Sequence, residues 1–263
     1  DLLSTILTPS LKRAKRALNC TSIVTFGKAD YPLGVELPNL KSHVYKPKTI
    51  DTLSEIQESD IVKVAASKFM SAALTKDGAV YTWGYGKGGR LGHGDITVNT
   101  GNTSTAIPFP RQVIALKGHI VTGIALAESH ALAVTHGGSV FAWGSNKYGQ
   151  LGLGTNISNT GTIYTNPNGN SGDKAKDDED TSTTSAVGEG SMCSEPCQIY
   201  SLKKQRIIGI AAGDNHSVAF NDNGEVWCWG SNSKGQLGLK PTANSNSTQN
   251  MVVYTPKQLH IGN

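Results

Sequence analysis

Cysteine is scarce: four thiols in 263 residues are too few to staple a small disulfide scaffold. Long apolar runs are missing as well, so neither an export signal nor a membrane-spanning helix is expected, and the chain is read as one that works in the cytoplasm or nucleus without touching a membrane. Charged residues make up only 17% and hydrophobic ones 37%, which suffices for a single core. What is abundant is punctuation. Thirty glycines and ten prolines argue against a helix bundle. The chain opens on Asp1 and stops in mid-pattern at Asn263, so it is expected to be part of a longer molecule.

Charge is unevenly spread. Between 156 and 195, seven acids (Asp173, Asp177, Asp178, Glu179, Asp180, Glu189, Glu195) face only Lys174 and Lys176, a local charge of −5, which leaves +9 on the remainder of a chain whose total is +4. That remainder suits an acidic protein surface better than it suits nucleic acid, for which the excess is small.

Self-similarity organises the sequence. VYTWGYGKGGRLGHGD begins at Val80, VFAWGSNKYGQLGLGT at Val140 and VWCWGSNSKGQLGLK at Val226, with a worn copy, VTFGKADYPLGVE, at Val24. The repeat positions are Phe26-Gly27, Trp83-Gly84, Trp143-Gly144 and Trp229-Gly230, followed by Leu91-Gly92, Leu151-Gly152 and Leu237-Gly238. The aromatic anchors stand 57, 60 and 86 residues apart.

Upstream of each tryptophan lie two apolar runs joined at Asp77-Gly78, Gly137-Gly138 or Asn223-Gly224, pairs that supply the positive φ of a tight hairpin turn. After the turn, large rings alternate with small residues. Tyr81 and Trp83, Phe141 and Trp143, and Trp227 and Trp229 would fill one interface, while Val80 and Thr82, Val140 and Ala142, and Val226 and Cys228 would let the opposite face approach a neighbour closely. A further strand precedes each hairpin, at 61–67, 122–128 and 207–213, with Pro47, Pro110 and Pro196 opening the approach and a last copy starting at Pro256. Strand, hairpin and glycine-rich loop at this period describe a blade of an all-β propeller rather than a sandwich.

WGSNKYGQLGLG and WGSNSKGQLGL resemble the repeats of the regulator of chromosome condensation family, over residues 22 to 263 outside the acidic stretch. The resemblance implies a propeller that usually has seven blades, of which this chain would hold three to four, each four-stranded. The wording KFMSAALTKDGAVYTWGYGKGGRLGHGD, from Lys68 to Asp95, is similar to a subfamily that joins ankyrin repeats, a short propeller and BTB domains. That likeness implies an adaptor, one that presents substrates to a ubiquitin ligase. The founding activity of the family is the alternative: nucleotide exchange on the small GTPase Ran at chromatin.

Two segments stand outside the repeats, which run over 21–263. In residues 1–20, Thr8-Pro9 starts a short helix whose Lys12, Arg13, Lys15 and Arg16 read as the solvated face of a basic linker, with nuclear import as the sharper alternative. Residues 156–195, rich in Asn, Thr, Ser, Gly and Asp, bury too little to offset ordering entropy and are expected to be a disordered insertion.

Candidate chemistry is thin. His130 and His216 share a repeat position with Met70, thirteen residues before each tryptophan; a structural histidine bonded to neighbouring backbone is expected there. Cys193 and Cys197 lack two further ligands for zinc, and Cys20 and Cys228 sit in repeat positions. Gly84-Tyr85-Gly86-Lys87-Gly88-Gly89 lacks phosphate-loop spacing and a following helix. No enzyme, metal or cofactor is expected. A binding platform is, with Lys87, Arg90 and His93 as its candidate contacts, because they depart from the Ser-Asn-x-x-Gly-Gln-Leu-Gly wording of the later copies and would form a basic loop for an acidic protein partner.

Overall fold

A computed structural model describes residues 23–28, 34, 43–50, 61–94, 106–154, 192–239 and 252–260. The expected helix in 1–20 and the insertion up to residue 191 lie outside the described residues. The rest is β-structure with short 3₁₀ turns. Strands β1 (Val24–Lys28) and β2 (His43–Thr49) pair antiparallel. Three four-stranded antiparallel sheets follow. The first blade holds β3 (Ile61–Ala66), β4 (Met70–Thr75), β5 (Val80–Tyr85) and β6 (Ala106–Gln112). The second holds β7 (Val121–Leu126), β8 (His130–Thr135), β9 (Val140–Ser145) and β10 (Met192–Gln198). The third holds β11 (Ile207–Ala212), β12 (His216–Asn221), β13 (Val226–Ser231) and β14 (Val252–Leu259). Strand order follows chain order in every sheet, and β7 touches both β3 and β11, so first strands gather toward a common axis.

The hairpins form where expected, but only the second residue of each turn pair takes a positive φ: Gly78 (89°), Gly138 (81°) and Gly224 (81°). A bond from each of these amides to the carbonyl of Thr75, Thr135 or Asn221 closes a turn with the glycine as its third loop residue, the three-residue hairpin rather than the two-residue one.

The faces divide as the alternation predicts. Trp227 and Trp229 bury in one cluster with Leu132, Val134, Val140 and Ala142 of the preceding blade. Phe141 and Trp143 do the same against Ala72, Leu74 and Val80, and Trp83 against Ile50. The glycine after each tryptophan is dictated by space: at Gly144 (φ 99°) a Cβ would stand 2.4 Å from the Ser129 carbonyl and 2.8 Å from the His130 Cα, closer than any side chain tolerates.

Two boundaries need correction. Pro110, Pro196 and Pro256 do not open the first strands of new copies; they lie inside the last strands of existing blades, as Pro47 lies inside β2. Register explains them. Residues 45–47, 108–110, 194–196 and 254–256 each bow out opposite a single anchor, Phe26, Trp83, Trp143 and Trp229, and a residue without an N–H fits where the ladder is interrupted. Met192 to Glu195, assigned from composition to the insertion, belong to β10: Met192 pairs with Ser145 and Cys193 with Gly144, and Cys193 is buried.

Phe26 departs from the other anchors. Its side chain is 66% exposed, whereas Trp143 and Trp229 are fully buried, because no described blade stands before it. At the other end Phe220 of β12 is 44% exposed, while Leu74 and Val134, at the matching register of β4 and β8, are covered by the next blade.

Candidate functional site

In each blade the connections from first to second and from third to fourth strand fall at the same end. The loop wording there is explained by its own bonds. Asn146 Oδ1 accepts from Leu151 N at 3.0 Å, and Gln150 Oε1 from Tyr148 N at 2.7 Å. Asn232 and Gln236 repeat both contacts in the third blade. The first blade has Gly86 and Arg90 in place of this Asn and Gln, and is braced differently.

Arg90 Nε donates to the Lys87 carbonyl at 2.6 Å, and Nη1 reaches the Glu128 carbonyl of the second blade at 2.6 Å. Its guanidinium carbon stands 5.1 Å from the ring centre of Phe69 and 5.3 Å from that of Tyr85, within cation–π range of both. The two rings are 6.1 Å apart. Lys68 adds a second cation, 5.0 Å over Phe69, and pairs with the Glu128 carboxylate at 3.3 Å. The result is a half-buried aromatic pair flanked by Lys68, Arg90 and the exposed Lys87. His93 turns inward: its Nε2 meets Thr82 Oγ1 at 3.0 Å, and that hydroxyl donates to the Leu91 carbonyl at 2.6 Å. Of the three residues singled out in the sequence, Lys87 and Arg90 therefore share one surface, while His93 is held against β5. Lys68, Phe69, Tyr85 and Glu128 escaped sequence reasoning; the aromatic Phe69 beside Lys68 was the available signal.

At the shared histidine position, the partner of His130 is a side chain and not backbone. Ser217 Oγ donates to the Gln150 carbonyl at 2.7 Å, so it accepts from His130 Nε2 at 2.9 Å. The same carbonyl receives Trp229 Nε1 at 2.9 Å. His130 is fully enclosed; burial, assisted by the nearby His216, lowers its pKa to about 3, so the ring is neutral. One blade earlier, Met70 and Ala131 take the places of His130 and Ser217, both buried, while Trp143 Nε1 still donates to the Arg90 carbonyl at 3.0 Å. The polar pair has been replaced as a unit by an apolar one. Among the described residues no three His, Cys, Asp or Glu side chains converge as a metal site.

Comparison with known proteins agrees with this architecture. The regulator of chromosome condensation (RCC1) repeat matches residues 77–134, 137–168, 182–220 and 223–261. Human E3 ubiquitin-protein ligase HERC2 is 31% identical over 226 residues, covering 73% of this chain and 4% of its own length. BTB/POZ domain-containing protein 1 of Schizosaccharomyces pombe is 34% identical over 201 residues, 76% of this chain and 11% of its own. Mouse inhibitor of Bruton tyrosine kinase is 31% identical over 242 residues, 91% of this chain and 14% of its own. Among solved structures, yeast RCC1 (Prp20) bound to Kap60 superposes with a TM-score of 0.64 at 19% identity, over 91% of this chain and 45% of that one. The chain thus spans a small fraction of these relatives and less than half of that propeller. It belongs to the regulator of chromosome condensation (RCC1) repeat family.

Proposed function

We propose that this chain is a non-catalytic interaction propeller, the scaffold part of a larger adaptor, and that it holds an acidic surface of another protein at the blade end formed by Lys68, Phe69, Tyr85, Lys87 and Arg90. The observation that carries the reading is the Arg90 brace: it stacks on two aromatic rings and bonds carbonyls of two blades, with Lys68 set over one of the rings, and an aromatic and cationic patch of this kind is a surface that anchors protein partners. A role in presenting substrates to a ubiquitin ligase is supported by relatives named as an E3 ubiquitin-protein ligase and a BTB/POZ protein. Nucleotide exchange on Ran is not favoured, since the likeness to a solved RCC1 speaks to the fold alone and no matched motif reaches an exchange residue.

The test compares affinity purifications by the wild-type chain and the Lys68→Glu/Lys87→Glu variant, read by quantitative mass spectrometry. Selective loss of partners with acidic surfaces supports the site; an unchanged set of partners moves it to another end of the blades. Nucleotide release from loaded Ran should be unaltered by the wild-type chain.

A further inference from the structure

The last strand of the second blade brings two thiols together. β10 leaves its ladder after Cys193, opposite Gly144, and rejoins at Cys197, opposite Ala142, while Ser194 to Pro196 bow out past Trp143. Alternate positions of a strand face the same way, so the excursion sets both cysteines on one side of the sheet, where Cys197 packs against the core cluster that holds Cys193 and its thiol donates to the Glu195 carbonyl at 3.4 Å. Neither is in a disulfide.

The other blades show how unusual the pair is. The position of Cys193 is Val44, Ile107 or Val253 elsewhere, and that of Cys197 is Lys48, Arg111 or Lys257. An apolar residue and a cation are the rule; only the second blade replaces both with sulfur. The two thiols are also unequal. Cys193 is fully enclosed in the core, and the neighbouring Cys197 thiol and burial push its pKa up. Cys197 is half-buried, and the neighbouring Cys193 thiol draws its pKa down. A more acidic, accessible thiol beside a protected second one is the arrangement that peroxide-sensitive cysteine pairs require.

We propose that Cys193 and Cys197 form a reversible oxidation site, in which hydrogen peroxide oxidises Cys197 and Cys193 then closes a disulfide across the bulge. In the first step the peroxide O–O bond breaks, one oxygen joins the Cys197 sulfur as a sulfenic acid, and the other leaves as water with the thiol proton. In the second, the Cys193 sulfur attacks that of Cys197, the S–O bond breaks, and the departing hydroxide takes the Cys193 proton as water. Two electrons pass from the sulfurs to peroxide, and a dithiol reductant reverses the reaction.

The test uses the whole chain, reduced, freed of reductant, treated with hydrogen peroxide, quenched in acid, and alkylated after denaturation. Trypsin releases both cysteines in one peptide, after Lys176 and up to Lys203. The expected result is a peptide two hydrogens lighter with neither thiol alkylated, restored by reductant, while Cys20 and Cys228 stay alkylated. Cys197→Ser should leave Cys193 reduced, and Cys193→Ala should stop at a sulfenic acid on Cys197 that dimedone traps. Full alkylation of wild type after peroxide would overturn the proposal. So would Cys193 reacting as readily in Cys197→Ser as in wild type, or a disulfide formed with Cys20 or between chains. Because Cys197 is only half-buried, its serine variant folds and keeps the outcome decisive even if the core variant does not.

Discussion

The indole of Trp229 donates to the backbone carbonyl of Gln150, 2.9 Å away and one blade earlier, so this anchor is sealed by the loop of the blade before it. Gly152 belongs to the same seal, since a Cβ there would stand 2.7 Å from Trp229 Nε1. Trp143 and the Arg90 carbonyl repeat the arrangement. Trp143→Ala should therefore cost about 3–5 kcal/mol in denaturant unfolding, as large-to-small core changes do. Phe26→Ala should stay within about 0.5 kcal/mol, as expected at an exposed position. Equal costs would contradict the one-directional seal.

Gly144→Ala should destabilise more than Gly224→Ala. Both residues have positive φ, which costs a side chain on the order of 1–2 kcal/mol, but only at Gly144 does backbone stand in the way; at Gly224 nothing lies within 4 Å. Chemical denaturation of the two variants measures the steric share directly.

His130 makes stability depend on acid. Its folded pKa of about 3 lies below its unfolded value near 6.5, so the unfolded chain takes up the proton first. This group's contribution is complete above pH ~6.5 and is lost as pH falls toward 3. A His130→Met/Ser217→Ala variant, which copies Met70 and Ala131, should lose that acid dependence. Each single change should cost roughly 1–3 kcal/mol by stranding a buried polar partner, and the double change less than their sum, as a double-mutant cycle will read.

Lys87 and Arg90 should separate in a melting experiment. Lys87→Glu, at an exposed side chain, should leave the unfolding midpoint within about 2 °C of wild type while weakening partner capture. Arg90→Lys should lower the midpoint, because an ammonium cannot both bond two carbonyls in the guanidinium geometry and stack on Phe69 and Tyr85. Identical midpoints would mean that the brace contributes nothing.

Local signals made the blades legible. The alternation of Phe141 with Ala142 and Trp143, the turn glycines and the spacing of the anchors all act within a few residues, and the packing of ring face on small-residue face followed from them. The three-residue bulges were hidden because they are defined by the strand opposite, so Pro256 looked like a beginning and Met192 like part of the insertion. The candidate site was half visible for a similar reason. Arg90 stood out against the repeat, but Phe69 and Glu128, which fix it, come from other loops that no period marks. His130 was identifiable as structural, while Ser217, 87 residues further on, was beyond any local pattern.

The loop of the second blade seals the tryptophan of the third before the chain departs. Gln150, Leu151 and Gly152 have all made their contacts by residue 152, and the ladder resumes only at Met192. The entropy of closing such a gap grows only logarithmically with its length. This connection is thus a place where the protein can acquire new sequence without renegotiating its architecture, and the acidic, serine- and threonine-rich run occupies that licence.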